Sequence, residues 1–273
     1  MTPHVFDEAL ALTAQAEGDY TGATSPAYWN MVGPYGGVTA AILLNAVLLH
    51  PRRLGDPVSL TVNYASALAA GPLRVVARPV RTNRSTQHWT IELWQTGEGG
   101  DEGIVSTATA LTAVRRATWS VDDVAMPAAP APETLVRAPV FKGVEWINRY
   151  ELRAIQGGIP TTWDGGGSSS LTQFWVRDAA PRALDFLSLA AMSDVFFPRA
   201  WLRRATRVPV GTVSMTVYFH AGTAELAATG DGYLLAQAAA QVFRNGFFDQ
   251  SSQLWNQAGQ LLVTSHQIVY YKE

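Results

Sequence analysis

Apolar and polar positions along this chain follow two periods, and each period appears twice. Val58–Tyr64, Leu73–Arg81, His88–Gln95 and Ile104–Val114 are strand-length runs rich in β-branched and aromatic residues. Ala70-Gly71-Pro72 and Gly97-Glu98-Gly99-Gly100 mark turns between them. Later in the chain Thr212–His220, Tyr233–Phe243, Phe247–Trp255 and Leu261–Tyr271 read the same way, with a hairpin turn at Asn256-Gln257-Ala258-Gly259. One helical segment precedes each set. Gly37–His50 lacks proline and internal glycine and is apolar almost all round, which predicts a buried helix stopped by Pro51. Ala183–Phe197 is its counterpart, ended by Pro198. Weaker β patterns open each set, at Gly18–Trp29 and at Val144–Ile155 followed by Thr172–Arg177.

The two sets are alike in detail. Val58-Ser59-Leu60-Thr61-Val62-Asn63-Tyr64 returns 155 residues later as Val213-Ser214-Met215-Thr216-Val217-Tyr218-Phe219. Arg84-Ser85 leading to Trp94 answers to Arg244-Asn245 leading to Trp255, and Ile104–Thr107 answers to Leu262–Ser265. Ordered matches at nearly constant offset indicate a duplication. Between the copies, Ala125–Pro139 holds four prolines among alanines and reads as a linker over the surface. The expected division is 1–118, a linker at 119–137, and 138–273. Buried helix followed by antiparallel strands gives an α+β class, and two such units joined edge to edge would hide their strand edges. A homo-oligomer is allowed by this pattern.

Composition narrows the chemistry. The 273 residues are 48% apolar and 15% charged with a net charge of −2, so the chain can build a core and lacks the basic excess of a nucleic-acid binder. Its densest basic cluster is Arg203, Arg204 and Arg207. There is no cysteine, which removes disulfides, thiolate metal sites and a cysteine nucleophile together. The five histidines are scattered, so neither a metal nor a cofactor is expected. No apolar run reaches membrane-spanning length, Val38–Leu49 being too short, and Met1–Tyr20 lacks the form of a signal peptide. A cytoplasmic protein is the expectation.

Asp194 stands out. On a helix it would share an apolar face with Leu187, Ala190, Ala191 and Phe197, where a carboxylate is costly without hydrogen bonds. The alternative is a helix-end residue turning to solvent before Pro198. Gln267 alternates with Val263, Ser265 and Val269 along its strand, and its ordinary reading is a polar surface residue. Thr212 begins a strand and says little alone.

Together these three carry a resemblance. Ser193-Asp194, Gly211–His220 and Gly259–Gln267 resemble the second half of acyl-CoA thioesterase II, and Gly33-Pro34-Tyr35-Gly36-Gly37 resembles that family's Gly-Gly helix start. The resemblance implies a double hot-dog fold, two antiparallel sheets each wrapped around a long central helix. It implies an acyl-CoA substrate, with Asp194, Thr212 and Gln267 catalytic and Tyr35, Gly36 and Gly37 at the substrate. There are departures: a short Asp194–Thr212 stretch, Val38 where many members have Gln, and a Gly/Ser-rich insertion at Gly157–Ser170. At the duplication offsets, the first-half counterparts are near Thr39, Pro57 and Thr109, and no acid occurs in Gly37–His50. One site per chain follows. The mechanism expected is direct attack by water, with Asp194 as general base or water-orienter and backbone N–H groups at a helix start such as Gly36-Gly37 binding the oxyanion. Two rivals remain: a hot-dog enoyl-CoA hydratase, against which His266 should point away from Gln267, and a non-catalytic acyl-CoA-binding protein.

Overall fold

The elements follow one another in the predicted order, and the largest departure lies in the second helix. The computed structural model describes residues 3–97, 99–140 and 142–273. Met1, Thr2, Phe141 and the Glu98 of an expected turn lie outside them. In chain order come α1 (Val5–Ala9), β1 (Thr13–Ala16), β2 (Asp19–Ala23), α2 (Gly36–Leu48), β3 (Asp56–Tyr64), β4 (Pro72–Thr82), β5 (Thr86–Thr96) and β6 (Glu102–Ala113). After the proline-rich stretch come β7 (Tyr150–Gln156), β8 (Thr172–Asp178), α3 (Phe186–Met192), α4 (Arg199–Arg204), β9 (Val210–Phe219), α5 (Thr223–Thr229), β10 (Leu234–Ala239), β11 (Phe243–Arg244), β12 (Phe247–Asn256) and β13 (Leu261–Tyr271). The expected Tyr233–Phe243 strand is therefore broken between β10 and β11.

The strands form one antiparallel sheet rather than two. Its order is β1-β2-β4-β5-β6-β3-β9-β13-β12-β10-β8-β7, with β11 added to β12. Read inward from either edge, the halves match strand for strand, and they meet where β3 pairs with β9. There Thr61 faces Thr216 with their hydroxyls 3.0 Å apart. Joining edge to edge satisfies two strand edges at once.

α2 lies against the inner face of the first half. Ten of its residues are buried, because the sheet covers one side and α3 the other. α3 is half its length. Pro181 precedes it, Asp185 caps its first turn by accepting the Ser188 N–H at 2.7 Å, and Ser193 ends it. A long central helix is thus present in the first half, and a seven-residue one in the second.

The outer faces differ. In the second half Trp175, Tyr233, Leu235 and Trp255 are covered by Met126, Ala129 and Leu135 of the proline-rich segment, which the Trp175 indole ties down through the Pro130 carbonyl at 2.8 Å. In the first half that face carries ion pairs such as Arg74–Asp19.

Candidate active site

Asp194 sits two residues beyond the last residue of α3. Its N–H closes a tight turn onto the Ala191 carbonyl, and the Val195 N–H does the same to Met192. The Ser193 hydroxyl bonds back to Leu189 at 2.8 Å. Pro198 bars any continuation of α3 and stands instead at the N-cap of α4. Arg199 then anchors the chain: wholly buried, it donates to the carbonyls of Phe197 and Ser170 and to the Thr172 hydroxyl. Burial pulls its guanidinium down to about 9. The outcome is neither of the two readings of the sequence. Asp194 is off the helix, yet it turns inward.

Gln267 is on the inner face of β13 with Val263, Ser265 and Val269, all buried. Its Nε2 donates to Asp194 Oδ1 at 2.8 Å. The surface reading of Gln267 is thereby overturned.

A β-bulge delivers Thr212. Ser214 pairs with Ile268 but Thr212 pairs with Val269, leaving Val213 as the extra residue. Without it Thr212 would share the outer face with Ser214 and Thr216; with it the side chain turns inward. Its hydroxyl reaches Gln267 Oε1 at 3.4 Å. The first half keeps this bulge, with Val58 extra between Pro57 and Ser59, so Pro57 is the counterpart of Thr212. Register also corrects the third counterpart. Met215 pairs with Gln267, and its repeat partner Leu60 pairs with Ala110, not Thr109. Thr109 is one residue off and faces outward, as a slip of one requires.

The first half supplies the opposite wall. The Gly37 backbone amide, at the start of α2, favours the Asp194 anion. A Cβ on Gly36 would lie 2.8 Å from Asp194 Oδ2, and one on Gly37 2.4 Å from the Ala191 carbonyl. These glycines let two helix ends approach. Tyr35 is 2% exposed; its hydroxyl donates to the Ala191 carbonyl and its ring stacks on Trp146 at 4.2 Å. Tyr64 was missed in the sequence; its hydroxyl donates to the Gly36 carbonyl at 2.9 Å. Also missed was a buried serine relay, in which Ser252 meets Ser265 and Ser265 donates to the Ser193 carbonyl. Alternation along β12 and β13 was the available signal for it.

Burial pushes the Asp194 carboxyl up to about 7, against the hydrogen bonds from Gln267 and Gly37 that favour the anion. Asp194 is partly buried and retains some solvent-accessible surface. His266 is exposed on the outer face and meets Ser251. Such a carboxylate can accept a proton from water near neutral pH.

Residues 122–271 match the acyl-CoA thioesterase C-terminal domain, more than half of the chain, and residues 25–115 match the acyl-CoA thioesterase N-terminal domain. The chain belongs to the acyl-CoA thioesterase family. A conserved hot-dog-fold protein of unknown function from Alicyclobacillus acidocaldarius is 41% identical, with a TM-score of 0.93 over 100% of this chain and 99% of that one. A proposed thioesterase II from Thermobifida fusca is 19% identical, with a TM-score of 0.82 over 98% of both chains. The acyl-CoA thioesterase II TesB2 of Mycobacterium marinum is 20% identical, with a TM-score of 0.77 over 98% of both. These likenesses give the hot-dog fold. No curated protein matches the sequence.

Proposed function

We propose that this family member hydrolyses an acyl-CoA thioester to the free acid and CoA, using water held at Asp194, Thr212 and Gln267. The observation that carries the reading is the convergence of the three on one another, with Gln267 bonding Asp194 at 2.8 Å and Thr212 reaching Gln267. A thioester is reactive enough for direct attack. The ionised Asp194 takes a proton from water as the nucleophile forms its bond to carbon, and Gln267 and Gly37 fix the carboxylate. Thr212 steadies Gln267 from its other side. Each half is read as one unit of a double hot-dog, 1–118 and 138–273, with 119–137 as linker and one site per chain. We read it as an enzyme of lipid metabolism working in the cytoplasm, a reading supported by acyl-CoA as substrate. Among the described residues no helix is long and apolar enough to cross a membrane.

The hydratase reading lacks its histidine, since His266 lies on the face opposite Gln267. The test is hydrolysis of acyl-CoAs of graded chain length by wild type and Asp194→Asn, monitored by release of free thiol. Turnover by wild type and its loss in the variant are expected. Equal rates would remove Asp194 from the mechanism, and tight binding without turnover would favour the binding-protein reading.

A further inference from the structure

Gln250 is the cross-strand partner of Gln267, directly opposite it on β12. Directly opposed residues of an antiparallel pair present their side chains to the same face, with Cβ atoms about 5 Å apart. The flanking rows fix what lies above. One row away, Ser252 bonds Ser265, and Ser265 donates up to the Ser193 carbonyl. Phe248 and Val269, one row the other way, pack with Ala200. The chain from 194 to 199 therefore crosses over the row of Gln250 and Gln267.

Gln250 is 3% exposed and, among the described residues, its amide makes no hydrogen bond; the amide atoms are not among the fully buried polar atoms left without a partner, so the tip of the side chain keeps contact with accessible space. In the repeat, the row that holds Gln250 and Gln267 holds Trp89 and Ala110. Trp89 is well satisfied there, its indole N–H bonding the Thr112 hydroxyl at 3.1 Å. The fold thus accepts an apolar filler at this position and carries in its second copy a polar one without a partner. Meanwhile the Gln267 Nε2 is committed to Asp194.

We propose that Gln250 is a further catalytic residue, whose side-chain N–H donates to the carbonyl oxygen of the bound thioester. This rests on the thioesterase reading above. Water oxygen bonds to the acyl carbon while its proton passes to Asp194. The carbonyl π pair moves onto oxygen, where the Gln250 amide meets the growing charge. When that pair re-forms the double bond, the carbon–sulfur bond breaks, and the CoA thiolate takes up the proton.

The test is steady-state acyl-CoA hydrolysis by Gln250→Leu and Gln250→Met, which keep the volume and remove the amide, alongside thermal unfolding. Removing one side-chain donor to an oxyanion lowers kcat by about 10²–10³-fold. That loss is expected with Tm unchanged or raised, with the acid limb of kcat/KM unmoved near pH 7, and with partial recovery in Gln250→Asn. Rates in both variants within the wild-type range overturn the proposal. So does a loss that tracks a fall in Tm in both, which marks a packing role, or a shifted acid limb, which marks action through Asp194. If wild type hydrolyses no acyl-CoA, or Asp194→Asn is fully active, the underlying reading has failed. If Asp194→Asn is inactive and Gln250→Leu is normal, only the Gln250 assignment has.

Discussion

The two halves of the sheet have the same strand order and even the same bulge, yet at equivalent positions they hold different chemistry. Where the second half has Thr212, Gln267 and Gln250 on its inner face, the first has Pro57, Ala110 and Trp89. The first half fills the space with an indole and gives α2 thirteen residues; the second leaves amides there and stops α3 after seven. Stopping early releases Asp194 from the helix, so that its carboxylate meets the start of α2 from the other copy. One copy's frame is spent on packing and the other's on a polar site, and each needs the other's helix end.

The sharpest way to break this contrast is Asp194→Asn. Loss of a general base lowers kcat by about 10³-fold, while Pro57→Ala in the first half leaves kcat unchanged; thiol-release kinetics of both variants decide it. For wild type, kcat/KM should rise through about pH 7 as Asp194 ionises. Stability moves the other way. Because the folded carboxyl is pushed from 3.8 up to about 7, its contribution is full below pH 3.8 and is lost as pH rises through about 7. Asp194→Asn should then melt higher than wild type at pH 8, and the gap should narrow steadily as pH falls below about 7, closing only near pH 3.8.

Next in size is Trp89→Ala, expected to cost about 3–5 kcal/mol in urea unfolding. A loss below about 1 kcal/mol would mean that the first half does not depend on this plug. Gly37→Ala drives a Cβ into the Ala191 carbonyl and should cost about 1–3 kcal/mol. Gly36→Ala instead meets the Asp194 carboxylate, so it should depress kcat more than Tm. The smallest effect is at the seam, where Thr61→Val removes one hydroxyl bond to Thr216 and should cost about 1 kcal/mol with normal kinetics.

The sequence carried the strand runs, the buried α2 and the repeat, because each is written in local period and composition. It also pointed to Asp194, Thr212 and Gln267, whose convergence needs the sheet register and a bulge. What it hid were effects of tertiary closure. A seven-residue α3 looks like a longer helix because Val195–Phe197 stays apolar, although the backbone has already turned to 3₁₀-type bonds at Asp194 and Val195. The inward turn of Thr212 depends on one extra residue, Val213, that alternation cannot locate. The resemblance put Tyr35 at the substrate, but it gave no sign that the ring stacks on Trp146, more than a hundred residues away.

The seam between the halves has a further property. Thr61 opposes Thr216 within Val58-Ser59-Leu60-Thr61-Val62 and Val213-Ser214-Met215-Thr216-Val217, so each edge is nearly its own complement. A half severed from the other would therefore carry an adhesive edge able to pair with a second copy of itself. Two copies of the second half would bring two aspartates and no Gly36-Gly37 to receive them. Two copies of the first would bring the glycines and no aspartate. Of the three pairings that these edges permit, the covalent tether selects the mixed one, which alone assembles the acid, its two amides and the helix start.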